Sequence, residues 1–324
     1  MKLRASQHPS PYAVHKSNVN CRPILSLMQS PKLRVAWIGS GVMGNSLAGH
    51  LLTAGYLVQI FTRTKHKAHR LLDAGAIWCD SPALAADTVD VAFAMVGLPA
   101  EVEEVFLGAQ GMLAAKIAPK VVVDMATSSP QLSRRIAESA AYKKIGALDA
   151  PVSGGDIGAR NATLSIMVGG AAHDFEIVKP LFECMGKTIV HQGEAGAGQI
   201  CKMVNQILVA NSMVGACEAM VAAQAAGLDS HRVLQSISGG AAGSWTLSNL
   251  VPRMLKDDWN PGFFASHLSK DLRIALQQTQ ADGLYLPGLQ LSERLYRRLD
   301  ALGHGHLGTQ VLMREWMAVL QSDL

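Results

Sequence analysis

An α/β fold is predicted, with an N-terminal parallel-sheet domain over residues 33–195 followed by an all-α C-terminal domain over residues 196–324. Three observations predict it. Short β-branched runs at 33–38, 57–61, 91–96 and 121–124 alternate with helical stretches of ten or more residues, a pattern that right-handed crossovers turn into a parallel sheet. After Gly198 such runs stop, and Gly239, Gly240, Pro252, Pro261 and Pro287 divide the remainder into helices. A chain of 324 residues, 49% hydrophobic and 17% charged, is long enough for two cores at roughly 150 residues per domain. Its composition excludes disorder, fibre and coiled coil as global descriptions.

Residues 1–32 are rich in Ser, Pro and Asn, contain no acid and show neither apolar period, so they read as a disordered or targeting extension. Mitochondrial and cytoplasmic locations both remain open. Ten Lys and Arg precede the first acid, Asp73. The rest of the chain carries 19 basic against 25 acidic side chains, so the overall charge of +4 is a local feature of the first 72 residues. Nucleic acid is not an expected partner, because half of those ten bases lie in the extension and four cluster at Arg63, Lys65, Lys67 and Arg70. Cys21, Cys79, Cys184, Cys201 and Cys217 are odd in number and irregularly spaced, which argues against a disulfide framework. His304 and His306 lack further ligands nearby, so no metal is expected. The apolar stretch 206–228 is broken by Asn211, Glu218 and Gln224 and is read as a buried helix rather than a membrane span.

The first strand ends in Gly39, Ser40, Gly41, Val42, Met43 and Gly44 and opens a helix running to Ala54. This GxGxxG pattern, placed between strand and helix, is the fingerprint of a Rossmann-type dinucleotide-binding domain. Gly39 permits the turn, Gly41 lets a pyrophosphate approach the backbone, Gly44 allows close packing, and the helix N-terminus faces the phosphates. The second strand should end at the adenosine ribose, where an acid reads the 2′-hydroxyl of NAD. Arg63, Thr64 and Lys65 stand there instead, a cationic turn suited to a 2′-phosphate. NADP is therefore the preferred cofactor and NAD the alternative.

Strand candidates at 145–149, 164–168 and 188–191 extend the sheet. The segments 35–44, 149–155 (DAPVSGG) and 196–205 (GAGQICKMVN) together resemble the β-hydroxyacid dehydrogenases. The likeness covers about residues 33–320 of a family that includes the glyoxylate/succinic semialdehyde reductases, and segments 95–99 and 308–310 look most like its 3-hydroxyisobutyrate dehydrogenase-like proteins. It implies hydride transfer between a nicotinamide cofactor and a small β-hydroxyacid or its semialdehyde. It also implies that Lys202 is the catalytic acid/base and that Thr127, Lys270 and, more weakly, Val96 meet the cofactor.

Physics supports Lys202 independently, because a helix start and an apolar cleft both disfavour its charge and bring it toward proton transfer near neutrality. Asn205, one turn on, is expected to orient Lys202 or the substrate. Gln206 departs from the Asn common in the family. Ser153, Gly154 and Gly155 follow a strand with a hydroxyl and approachable amides, suited to a substrate carboxylate. Trp245 is read as pocket lining or core. The partners expected are a small-molecule carboxylate and a second copy in a homodimer or homotetramer, with no membrane. A non-catalytic dinucleotide-binding scaffold is the alternative, and retention of Lys202 argues against it.

Overall fold

The computed structural model describes residues 32–316, so the expectations for the N-terminal extension fall outside the described residues. Among the described residues nine strands form one sheet: β1 Arg34–Ile38, β2 Leu57–Phe61, β3 Ile77–Trp78, β4 Val91–Ala94, β5 Val121–Asp124, β6 Gly146–Asp149, β7 Val152–Ser153, β8 Leu164–Gly170 and β9 Gly186–Gly193. Their order is β3-β2-β1-β4-β5-β6-β8-β7, with β9 also paired to β8. The first six strands are parallel. The chain winds outward in both directions from β1, and this reversal opens a crevice at the carboxyl ends of β1 and β4.

Both faces of the central strands are covered, and their alternation shows it. Val35 and Trp37 of β1, Val91 and Phe93 of β4, and Val121 and Val123 of β5 enter one core. Ala36, Ile38, Ala92, Ala94 and Val122 enter the other. Strands buried on both sides read as continuous apolar runs, which is why β1, β4 and β5 are visible in the sequence. Strands β3 and β7 have two residues each and carry no detectable period. Beyond β6 the sheet is mixed: β8 runs antiparallel to β6 and β7, while β9 returns parallel to β8.

The helical half has its own core, from Met203, Met213 and Met220 to Leu272, Tyr296 and Val311. Its axis is the 29-residue helix Ala197–Ala225, flanked by Ala265–Ala281 and Pro287–Ala301. That long helix has a window of mean hydropathy 1.4, enough by length and composition to cross a bilayer; the interruptions read in the sequence do not lower it below that level. Its buried face packs in the helical core, with Met203, Ala210, Cys217 and Met220 inward. Pro252 and Pro287 start helices rather than ending them, as residues of the first turn, where a missing N–H costs nothing.

Candidate active site

The loop after β1 is built by exclusion of side chains. Gly39 sits at φ +101°, and a Cβ there would overlap the Met95 carbonyl. A Cβ on Gly44 would overlap the Gly39 carbonyl, whose oxygen accepts a 2.8 Å bond from the Trp37 indole N–H. Gly41 differs: an added Cβ would meet nothing within 4 Å. Open space therefore lies before the helix Val42–Thr53, which has no acid in its first turn and no side-chain cap. The Ser40 hydroxyl is buried without a partner and Val42 is 61% exposed at the same rim. An open cradle beside uncapped N–H groups fits a pyrophosphate.

Two residues missed in the sequence hold this rim. The Asn45 amide donates to the Ser40 carbonyl and, at 3.2 Å, to the Lys67 carbonyl, tying the glycine loop to the basic turn. Glu101 accepts the N–H groups of Gly97 and Leu98 at 2.9 and 3.2 Å and pairs with Arg63 at 2.9 Å. The detectable signal was its place at the third residue of a helix opening with Pro99. Arg63 and Thr64 lie where predicted at the end of β2, with the guanidinium held by Glu101 and exposed. The Lys65 ammonium lies 4.8 Å from the centre of the Trp78 ring.

Lys202 is in the second turn of the long helix and only 6% exposed. Its ammonium donates to the Val152 carbonyl at 2.8 Å, next to Ser153. Burial is the main cause that pulls its pKa down to about 8, against the opposing attraction of Asp271. Gly154 and Gly155, at φ +132° and +63°, carry the chain from β7 into a short helix, so the Ser153 to Gly155 turn and Lys202 come together. The Asn205 amide donates to Gln206 at 2.7 Å rather than to Lys202. Gln206 is buried and donates to Asp271 at 2.6 Å, which gives this departure from the family pattern a structural place.

The Lys270 ammonium crosses from the helical half to the Thr127 carbonyl at 2.7 Å and the Gly97 carbonyl at 3.3 Å, with Asp271 at 3.1 Å. Val96 flanks the same loop, against Gly39. Gln199, absent from the predicted site, is fully buried; it accepts the Ser128 N–H at 3.0 Å and donates to the Ala126 carbonyl at 2.8 Å. Lys270 thus joins the Thr127 and Gly97 loops, while Lys202 meets the strand that leads into the Ser153 turn. Trp245 stands apart from the core, 61% exposed.

Residues 34–193 match the family profile described as the NAD binding domain of 6-phosphogluconate dehydrogenase. Residues 196–316 match the profile described as NAD-binding of NADP-dependent 3-hydroxyisobutyrate dehydrogenase. The chain is 43% identical over 319 residues to "Probable 3-hydroxyisobutyrate dehydrogenase-like 1, mitochondrial" of Arabidopsis thaliana, covering 97% of this chain and 95% of that one. It is 40% identical to the 2-hydroxy-3-oxopropionate reductase of Escherichia coli, covering 87% and 96%. Among solved structures, the Mycobacterium tuberculosis 3-hydroxyisobutyrate dehydrogenase with L-serine superposes with a TM-score of 0.80 at 28% identity, covering 88% and 99%.

Keeping an ammonium in this site destabilises the fold. The Lys202 pKa is depressed from 10.5 to about 8, so the folded state binds fewer protons than the unfolded chain between those values. The penalty is full below about pH 8 and is relieved as pH rises toward 10.5. Lys202→Met should stabilise the fold at pH 7 by about 1 to 3 kcal/mol, seen as a higher melting temperature, and the gain should shrink in melts recorded from pH 8 to 10.

Proposed function

The chain belongs to the β-hydroxyacid dehydrogenase family, and from that premise we propose that it moves hydride between NADP and a small β-hydroxyacid or its semialdehyde, with Lys202 as the proton donor and acceptor. The observation that carries this assignment is the Lys202 ammonium, buried, depressed in pKa and set beside the Ser153 turn. The nicotinamide cofactor, when bound, supplies and accepts the hydride. Gly39, Ser40, Gly41, Val42, Met43 and Gly44 would hold its pyrophosphate, Arg63, Thr64 and Lys65 its ribose phosphate, and Val96, Thr127 and Lys270 the edge of its nicotinamide pocket. NADP is preferred because no acid stands at the end of β2 and the exposed Arg63 can exchange its half-buried partner Glu101 for a phosphate.

Ser153, Gly154 and Gly155 hold the substrate carboxylate by one hydroxyl and closely approachable amides. This leaves the carbonyl carbon free to face the cofactor and its oxygen to face the Lys202 Nζ. In reduction that Nζ gives up a proton to the oxygen; in oxidation the neutral amine takes it back. Asn205 and Gln206 act behind Lys202, linking its helix to Asp271. An assay with NADPH and glyoxylate, succinic, tartronate and methylmalonate semialdehydes tests the reading, with 3-hydroxyisobutyrate, L-serine and 4-hydroxybutyrate for the reverse direction.

A self-associating state is part of the proposal. Ile200, Val204 and Leu208 recur one turn apart on the outward face of the long helix, 42%, 54% and 65% exposed, and the amphipathic helix Ser230–Ile237 has no fully buried residue. A homodimer or homotetramer would cover both. Sedimentation should show Leu208→Glu shifted toward monomer relative to the parent; an identical assembly would reject this face.

Lys202→Ala should lower the catalytic rate by at least about a hundredfold, at the low end for a positioned acid/base, while cofactor binding persists. With Lys202 in place, reduction should decline as pH rises through about 8 and oxidation should decline below it. Turnover within threefold of the parent would remove Lys202 from the mechanism.

Arg63→Ala should weaken NADPH selectively, since one charge-assisted phosphate contact is worth about 1.5 to 3 kcal/mol. Dissociation constants for NADPH and NADH by nucleotide fluorescence give the comparison, and equal weakening of both would contradict the assignment.

A further inference from the structure

Two carboxylates that the proposed chemistry does not use lie side by side beneath the site. Asp124 ends β5 and Asp149 ends β6, directly paired in register, and each is only 2% exposed. Their surroundings differ. Asp149 accepts the N–H of Gly196 at 2.7 Å with one oxygen and that of Gln199 at 2.8 Å with the other. Both donors belong to the start of the Lys202 helix, whose positive end adds to them. Asp124 accepts the Ala126 N–H at 2.9 Å, and its other oxygen meets the Ser128 hydroxyl at 2.9 Å. A hydroxyl can donate or accept, so that partner suits a protonated carboxyl as well as an ionised one. A cavity of about 10 Å³ lined by both aspartates, with Ser133, Ile136, Leu148 and Ala195, holds no more than one water to screen two charges.

We propose that this pair carries a single negative charge, with the proton on Asp124 and the charge on Asp149, and that it acts as a positioning clip joining the Thr127 loop to the first turn of the Lys202 helix. Fixed N–H groups make Asp149 the better anion, and two adjacent buried carboxylates cannot both ionise cheaply. The glycines around the clip agree: a Cβ on Gly169 would lie 2.6 Å from one Asp149 oxygen, and one on Gly198 2.9 Å from the other. Gln199 completes the joint from the helix side, through Ser128 and Ala126. The charged groups facing the pair are Lys270, which opposes the rise at Asp124, and the Arg134 guanidinium beside Gly196. Burial, with the neighbouring Asp149, pushes the Asp124 carboxyl up to about 7 despite its hydrogen bonds; burial raises Asp149 as well, against its N–H donors.

Asparagine separates the two roles, since it imitates a neutral carboxyl but not a carboxylate with two N–H donors. Asp149→Asn must turn an amide N–H₂ toward Gly196 or Gln199, whereas Asp124→Asn keeps one acceptor for Ala126 and offers a donor to Ser128. The full-length protein should show a protonated-carboxyl C=O band in its infrared spectrum at pH 6 that weakens as pH rises through about 7 and is absent from Asp124→Asn. Because the folded Asp124 titrates near 7 and the unfolded one near 3.8, parent stability should decline from about pH 4 to 7, and Asp124→Asn should flatten that decline. In turnover, Asp149→Asn should lose at least ten times more kcat than Asp124→Asn, with both variants binding NADPH. Only this kinetic arm rests on the catalytic reading of Lys202; the spectrum and the melts would stand if no semialdehyde were turned over. A missing Asp124-dependent band, an unchanged stability slope, or equal losses from the two substitutions would overturn the assignment. Should Asp149→Asn fail to fold, the Asp124→Asn spectrum and slope still decide it.

Discussion

The seating of the long helix end-on against the sheet is the constraint on which the rest of the site depends. Its first residues press on the ends of β6 and β8 so closely that Gly169 and Gly198 leave no room for a Cβ. Asp149 then accepts two of the N–H groups that a helix start leaves unpaired. With that end fixed, the second turn places Lys202 under the β7 carbonyl of Val152. The lysine is buried because its helix has nowhere else to go, and burial is what depresses its pKa.

Charge is concentrated at this junction. Lys202, Lys270, Asp271, Asp124 and Asp149 gather where the sheet meets the helical core, although all but Lys270 are almost fully buried. Such groups gain little stability from pairing, because desolvation offsets most of the attraction. Their value is in geometry. Lys270 reaches two loops of the sheet from a helix about 143 residues later than the nearer one, and Gln206 ties Asp271 to the Lys202 helix. Hydrogen bonds of fixed direction thus register one half of the molecule against the other, where apolar packing alone would permit sliding.

At the opposite end of the crevice the design is subtractive. Gly39 and Gly44 close on each other under the Trp37 indole, whose ring stacks on Phe93 of β4 at 5.4 Å. Gly41 alone faces open space. The loop is therefore rigid where it packs and bare where a phosphate would approach, and its basic flank is kept ordered by Glu101 and Trp78.

The sequence by itself determined the alternating half, the helical half, the glycine loop and the basic turn after β2. Each rests on local information: strands buried on both faces are continuously apolar, and a fingerprint needs only its neighbours in the chain. Lys202, Ser153 and Thr127 were singled out in the sequence by motif likeness. Only the tertiary structure decided what surrounds them. The antiparallel turn at β6 to β8, the bond from Lys270 to Thr127, the place of Gln206 behind Asp271 and the meeting of Asp124 with Asp149 join residues far apart in the chain. The shifts in a carboxyl's and a lysine's pKa follow from burial and from donors contributed by other elements, and neither shift exists until the chain has folded.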